Sequence, residues 1–557
     1  MKALERPEQQ RFSAKETDNG NSPVLNIAGE EMKQQHIQSA IERLVNETGF
    51  QVTEWSVYAD GSVSPGRYTL FIETDPPVSR GQARIMCQIL DEGLSEANSR
   101  YGEAVGNGRI HPMKLNVLQP ETHKLYREVL AYQAPEVDPL EENHMIDSPV
   151  KEKFFFGLIE DGKQSRIADS ARNYKQSEIG KMFRMAVNIS DVVSLCNGEP
   201  DFAPPVHIID AAYNALMDGR NKYSPDPGIP SFREAVAKRC SDQIGIRYEP
   251  EDCLATLGGS EAMWLAMSTL LNPGDEVIIP DPAYPDYLKQ AVSLQAVPVR
   301  VPLRKENGFH MDPGDLEAAI TLKTRAVVLN YPSNPTGAVL QMEEAKKLAE
   351  IILKYDLFVI SDEVYEMLVF DGRSFFSMAQ VPGLEDHVII VNSLSKTFAM
   401  TGWRIGYAVC KERDIIQSMT MIQQTVASVP PTFIMHAAAA ALSGPLDHME
   451  KMRVEYERRR DILYNGLCDI PGMKPFNPEG SLCIFVDITQ ITDRYAISSG
   501  DFCVRLLQEA KVLSMPGTAF GATGEGYLRL CFGASEETLR EGIRRIKDFV
   551  IKEYPAE

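Results

Sequence analysis

Residues 388–407 read "VIIVNSLSKTFAMTGWRIGY", and the fold turns on how this stretch is read. Its first four residues are an unbroken β-branched run, which suits a strand buried on both faces better than one with a wet side. Polar chemistry begins only where the run stops, with Ser393, Lys396 and, eight positions later, Arg404. The same pattern recurs upstream in "EVIIPDP", "AVVLNYP" and "FVISDE", separated by helical stretches such as "EAMWLAMSTLL" and "QMEEAKKLAEIILKYD". Alternation of this kind predicts an α/β fold: a mostly parallel sheet covered by helices, with ligands at the carboxyl ends of its strands.

The residues at those ends carry chemistry. Asn334 follows "AVVLNYPS", Asp362 follows "LFVIS", and Ser393 and Lys396 follow "VIIVN". A lysine attacks an aldehyde only when deprotonated, and desolvation or a nearby cation such as Arg404 lowers its pKa toward that state. Pyridoxal phosphate uses these parts together, because its ring is an electron sink once a carboxylate holds the pyridine nitrogen protonated. Asp362 suits that carboxylate, and Asn334 and Tyr365 suit the ring's phenolic oxygen. The phosphate needs donors: "LATLGGSEAMWLAM" runs from a strand through two glycines into a helix, so amides around Gly259 and Ser260 can face an anion, with Ser393 and Arg404 completing the cup. Tyr284 in "DPAYPDY" offers an aromatic face to the ring.

With these pieces in place, residues 166–557 closely resemble the class I/II aminotransferases, the fold-type I pyridoxal-phosphate enzymes. The matching segments are "SLCNGEPDF", "YSPDPGIPSFREAVA", "GGSEA", "DPAYPDY", "NYPSNPTG", "SDEVYE", "SLSKTFAMTGWRIGY" and "YLRLCFG", in the family's order. The resemblance implies a fold-type I large domain over 207–430 and a smaller α+β domain from 166–206 and 431–557. It makes Lys396 the Schiff-base lysine and proton shuttle, with Asp362 and Tyr284 beside it as catalytic residues. Ser260, Ser393 and Arg404 become phosphate ligands, and Arg529 the fork that takes the substrate α-carboxylate. Gly198 would lie along the substrate, and Tyr223 would reach the phosphate of a neighbouring subunit, which implies a homodimer with shared sites. One segment departs from the pattern: where the family often reads proline-x-glycine-alanine-phenylalanine-tyrosine, this chain has "PEGSLCIF", residues 478–485.

At 557 residues the chain is too long for one ordinary core. Residues 1–30 lack apolar periodicity and read as a flexible arm. From 31 to 135, "EEMKQQHIQSAIERLVNE" has helical spacing, and "FQVTEWSVYA" and "GRYTLFIE" read as strands about a turn at Pro65-Gly66. "RGQARIMCQILDEGLSEANSRY" then reads as one longer helix, and "MKLNVLQP" as a strand before a helix at "THKLYREVLAYQ". This extra N-terminal α+β domain resembles the C-terminal domain of the auxin-responsive acyl-acid amido synthetases, through "SVYADGSVSPGRYTLFIE", "EANSRY" and "RIHPMKLNVLQPETHKLY". The family's large ATP-binding portion and lysine-bearing loop are not found, so the resemblance implies a scaffold, or a docking module for a separate acyl-activating protein. Residues 136–165 are acidic, turn aromatic at "KFFFGLIEDG", and read as a linker.

Composition excludes other classes. The net charge of -21 argues against nucleic acid and anionic membranes as partners, and the first 150 residues, 23 acidic to 14 basic, carry no helix-turn-helix, which disfavours a DNA-binding regulator. Nine scattered cysteines without a CxxC pair read as reduced thiols of a cytoplasmic protein. The N-terminus has no apolar segment of a secretory signal, and "VASVPPTFIMHAAAAALSG" is broken by two prolines. No GxxxxGK[ST], HExxH, GxSxG or GxGxxG motif occurs, and no metal site is expected. The expected activity is amino transfer between an α-amino acid and a 2-oxo acid, and the fusion points to specialised biosynthesis. The alternative within the same fold is a lyase or synthase performing β- or γ-elimination, replacement or carbon–carbon bond formation, for example on S-adenosylmethionine.

Overall fold

A computed structural model of the chain describes residues 24–60, 65–76, 78, 80–118, 122–124, 177–196 and 198–555. The linker expected over 136–165 and most of the helix expected over 122–133 lie outside these residues. Two compact units divide at Ala168 and Asp169.

The first unit is built on a hairpin. Gln51–Asp60 and Arg67–Asp75 pair antiparallel, and Lys114–Val117 adds in parallel to the second strand. Trp55, Val57, Tyr68, Leu70 and Ile72 alternate toward one face, where the helices Gln34–Thr48 and Arg80–Ala97 cover them with Ile37, Ala40, Leu44, Met86, Leu90 and Leu94. The two helices approach closely because Gly93 has no side chain; a Cβ there would lie 3.1 Å from Ala40 Cα. Two expectations are corrected here. The single long helix breaks at Asn98, whose side chain accepts from the Tyr101 amide at 3.2 Å and caps a separate helix, Ser99–Gly106. The arm expected over 1–30 is packed at its end: Leu25 is buried, and Val24–Leu25 pairs with Met32–Lys33. The buried Glu30 carboxylate accepts from the Ile27 and Ala28 amides and from the Tyr68 hydroxyl.

The second unit contains a seven-stranded sheet, in the order Cys253–Thr256, Gly406–Val409, Val388–Ser393, Phe358–Asp362, Thr324–Asn330, Glu276–Asp281, Val297–Pro302. Gly406–Val409 alone runs opposite to the other six strands. Both faces are dry, as the unbroken β-branched runs require. Val327, Leu329, Val359 and Ile390 point into one core, and Ala326, Val328, Ile360, Ile389 and Val391 into the other. A smaller antiparallel sheet joins Lys474–Pro475, Cys483–Asp487, Tyr527–Cys531 and Met515–Pro516. The helices Asp447–Cys468, Ser499–Ala510 and Glu536–Glu553 contribute to its core. The helix Thr432–Ser443 differs from its sequence assignment. It falls within the stretch 431–557 expected in the smaller domain, yet Met435, Ala437, Ala438 and Ala441 are buried in the core of the seven-stranded sheet. Its small alanine side chains let it pack closely beside Val206–Met217 and Pro230–Ile244.

Candidate active site

The parallel strands end together. Asn330 and Asp362 are register partners on adjacent strands, and Ser393 closes the next strand over. A cavity of about 490 Å³ opens at these ends. Of the twelve residues singled out in the sequence, eleven line it: Gly198, Gly259, Ser260, Tyr284, Asn334, Asp362, Tyr365, Ser393, Lys396, Arg404 and Arg529. Tyr223 is not brought to it and stands 95% exposed on the surface.

One end of the cavity presents donors that could hold an anion. The strand Cys253–Thr256 turns through Gly258 at φ +83° into the helix Gly259–Leu270, whose first amides have no partner within the helix. Glycine is required at 258 for its backbone angle and for space, since a Cβ would lie 2.7 Å from Arg404 Nη2. Arg404 takes up the left-handed conformation, φ 54°, and donates to the Thr401 and Leu257 carbonyls at 3.0 and 3.3 Å. The hydroxyls of Ser393 and Ser395 lie 2.8 Å apart beside it.

Across the floor stand the groups that titrate. The Lys396 ammonium donates to the Gly198 carbonyl and lies 5.9 Å above the Tyr365 ring. Burial pulls its pKa down, so the neutral amine that nucleophilic attack needs is more accessible than in water. Burial pushes the Asp362 carboxyl up to about 6, while the Tyr287 hydroxyl, the Val364 amide and the nearby Lys396 favour its charged form. Tyr284 meets Tyr287 edge-on at 5.6 Å and donates to Asp286 at 3.0 Å. The Asn334 amide N–H donates to Asn330 Oδ1 at 2.9 Å, and Asn330 Nδ2 donates to the Asp362 carbonyl at 3.1 Å, tying the loop to the neighbouring strand.

At the other end lies Arg529, only 6% exposed. Its Nη2 donates to the Cys196 carbonyl at 2.9 Å and its guanidinium faces the Phe520 ring at 5.0 Å, but its buried Nε has no partner among the described residues. A buried guanidinium with an idle donor is costly and calls for an anion. A cradle for one anion, a desolvated amine, a buried carboxylate and an unsatisfied guanidinium thus share one cavity. These residues fit pyridoxal phosphate and an amino acid carboxylate together.

Sequence reading overlooked Tyr287 and Asn330. Tyr287 lies three positions after Tyr284 on the helix Pro285–Ser293, and that spacing, which brings two tyrosines to one side, was the available signal. Nothing in local sequence marks Asn330. Ile179, Phe183 and Met263 form an apolar part of the wall and were also unmarked.

Comparison with known proteins agrees with this geometry. The family described as Aminotransferase class I and II matches residues 190–546, and the GH3 family C-terminal domain matches residues 35–135. The chain is 40% identical to the "Aspartate aminotransferase" of Pyrococcus horikoshii over 68% of this chain and 96% of the relative. It is 38% identical to the "Aromatic-amino-acid aminotransferase 2" of Thermococcus litoralis, over 70% and 98% respectively. The solved structure of Thermus thermophilus aspartate aminotransferase with maleate superposes with a TM-score of 0.65 at 35% identity, covering 69% of this chain and 99% of that one.

Proposed function

This chain belongs to the class I and II aminotransferases, enzymes that use pyridoxal 5′-phosphate, and we propose that it moves an amino group from an α-amino acid to a 2-oxo acid. The observation that carries this reading is the pairing, in one cavity, of the desolvated Lys396 amine with the unsatisfied Arg529 guanidinium. When bound, the cofactor supplies an electron sink for negative charge at the substrate α-carbon. Arg529 would hold the substrate carboxylate in a forked pair and so fix which face of the α-carbon meets Lys396. Lys396 Nζ would take the α-proton as general base and later give it back. The amides of Gly259 and Ser260, with Ser393 and Arg404, would grip the phosphate. Asp362 would hold the ring nitrogen in its protonated form, Asn334 and Tyr365 would contact the phenolic oxygen, Tyr284 would cover the ring, and Gly198 would lie along the substrate.

Incubation with single amino acids, with and without a 2-oxo acid, tests this. Turnover beyond one equivalent is expected only when the 2-oxo acid is present. Sustained product formation without it would replace amino transfer by the elimination, replacement or synthase chemistry of the same fold.

The pKa of Asp362 gives a second test. Its carboxylate is lost as pH falls through about 6, and a cationic ring nitrogen loses its partner with it. Affinity of the cofactor-free protein for pyridoxal phosphate is expected to weaken below that pH. Tyr287→Phe removes a hydrogen bond that favours the charged form, so the midpoint should move upward. Cofactor titrations across pH measure it, and an unmoved midpoint in Tyr287→Phe would remove Asp362 from this role.

Two readings concern partners. An apolar stripe on Val206–Met217, made of Val206, Ile209, Tyr213, Leu216 and Met217, is exposed together with Tyr223, which supports a homodimer that shares its sites. The match of residues 35–135 to the GH3 C-terminal domain supports docking of an acyl-activating protein and a place in specialised biosynthesis. Free thiols at all nine cysteines, and the absence among described residues of a helix long and apolar enough to cross a membrane, support a cytoplasmic location. Removing residues 1–168 separates the partner readings. The shortened chain should remain dimeric and active while losing a co-purifying acyl-activating enzyme, and loss of the dimer would assign the front domain a structural role instead.

A further inference from the structure

Two thiols unused by this chemistry lie behind the cavity wall, next to Asn334. Cys483 opens the strand Cys483–Asp487 and Cys531 ends the strand Tyr527–Cys531, and the two are register partners across an antiparallel pair. The bonds around them define the kind of pairing. Phe532 N–H donates to the Leu482 carbonyl at 3.0 Å, while Cys531 N–H turns away to the Leu195 carbonyl at 2.7 Å. Cys483 and Cys531 are therefore a non-hydrogen-bonded pair, the class whose Cα atoms approach to about 4.5 Å. That separation lies within the span of about 4.4–6.8 Å that a disulfide bridges. Their Sγ atoms are 3.5 Å apart and both side chains are fully buried. Cys483 Sγ also lies 3.8 Å from Asn334 Oδ1. A third thiol nearby, Cys196, is turned to the Leu513 carbonyl at 3.2 Å. Cys483 stands in the segment where this chain departs from its family's pattern.

We propose that Cys483 and Cys531 form a dithiol modification site that positions Asn334 when reduced and is closed to a disulfide by a hydroperoxide. In the reduced pair, the Cys483 S–H donates to Asn334 Oδ1, which orients the side-chain amide so that its NH2 edge faces the cavity. Neither thiol lines the cavity, so a small hydroperoxide must pass Asn334, which does, to reach Cys483. The Cys483 thiol gives up its proton and its sulfur attacks the terminal peroxide oxygen, forming a sulfenic acid; the departing alkoxide, or hydroxide if the oxidant is hydrogen peroxide, takes up that proton and leaves as an alcohol or water. The Cys531 thiol then attacks the sulfenic sulfur; the S–S bond forms, and the departing hydroxide leaves as water with the thiol proton. Two thiols are oxidised by two electrons and one peroxide bond is reduced. The sulfurs close from 3.5 Å to about 2.05 Å, which removes the donor from Asn334 and draws Cys483 away from it. Hydrogen bonding from Cys531 shifts the Cys483 thiol toward its thiolate despite burial, which suits it to the first step.

The inference rests on Asn334 as a cofactor contact, and the experiment separates the two. The holoenzyme is treated with hydrogen peroxide, alkylated, digested and analysed by mass spectrometry. A cross-linked peptide carrying Cys483 and Cys531, lighter by two hydrogens, is expected. Turnover should fall by about tenfold, the scale of one lost hydrogen bond at a reacting centre, and return with dithiothreitol. The pH titration of the bound cofactor's visible absorption should shift on oxidation. In Cys483→Ser no cross-link should form, and the activity that variant has should resist peroxide, whereas in Cys531→Ser peroxide should leave Cys483 as a sulfenic acid without a cross-link. Recovery of both cysteines as separately alkylated peptides overturns the site. A cross-link that leaves turnover and the absorption titration unchanged overturns its positioning role. If Asn334→Ala leaves the absorption titration of the reduced enzyme unmoved, the reading of Asn334 fails whatever the thiols do.

Discussion

Lys396→Ala is expected to bind pyridoxal phosphate and to turn over at least about 10⁴-fold more slowly than the parent enzyme, the upper range for a positioned general base. The two halves of this outcome come from different parts of the site. The anion cradle around Gly258, Gly259 and Arg404 does not depend on the lysine, since Arg404 is held by the Thr401 and Leu257 carbonyls. Lys396 is the only amine among the described residues that line the cavity, so no neighbour can replace it. Lys396→Arg should be equally inactive, because a guanidinium does not deprotonate at working pH. Thermal stability of the cofactor-free variant should not fall, for burial already disfavours the charged amine in the folded state. Stopped-flow absorbance of the first half-reaction, together with a melting curve, measures both halves. Turnover within tenfold of the parent in Lys396→Ala would remove the lysine from the chemistry.

Lys396 and Asp362 were legible because each follows an apolar run that fits only a doubly buried strand, so the first polar residue had to lie at an open end. Asn330 and Tyr287 escaped the same logic. Asn330 looks like the last residue of its strand, and its role arises from register with Asp362, which no local pattern encodes. Tyr287 matters through its hydroxyl on Asp362, 75 positions away in sequence. The Cys483 and Cys531 pair is a like case, its partners 48 positions apart in sequence and brought together only by strand register. Errors in the fold have local causes. Asn98 competes with the backbone for the Tyr101 amide and breaks a helix that periodicity alone continues. The alanine-rich helix Thr432–Ser443 is apolar enough to suit either core, so its place in the larger one was settled by packing. Residues 24–30 are too short a stretch to show a period, yet Leu25 joins the core and the Glu30 carboxylate takes the Ile27 and Ala28 amides and the Tyr68 hydroxyl.

Arg529 carries the second large effect. Its guanidinium is buried with one donor on the Cys196 carbonyl and Nε idle, and no ion pair with a carboxylate forms there among the described residues. A cation in that state costs stability until an anion arrives, so a substrate carboxylate gains both a fork of donors and relief of that cost. Removing the guanidinium reverses the situation, because the carboxylate must then be buried unpaired. Truncating one partner of such a pair costs about 2–5 kcal/mol. Arg529→Ala is accordingly expected to lower kcat/KM for α-amino acids by roughly 30- to 5,000-fold. Arg529→Lys should fall at the milder end, since an ammonium offers a point charge without the planar fork. Stability should move the other way. Arg529→Met replaces an uncompensated buried charge by an apolar chain of similar length, so the substrate-free protein is expected to melt at a higher temperature. A primary amine that lacks the carboxylate supplies the internal control, because it gains nothing from Arg529 and its slow turnover should be little changed by the substitution. If kcat/KM for amino acids and for that amine fall together in Arg529→Lys, the arginine acts on the architecture of the site, and the carboxylate must be held elsewhere.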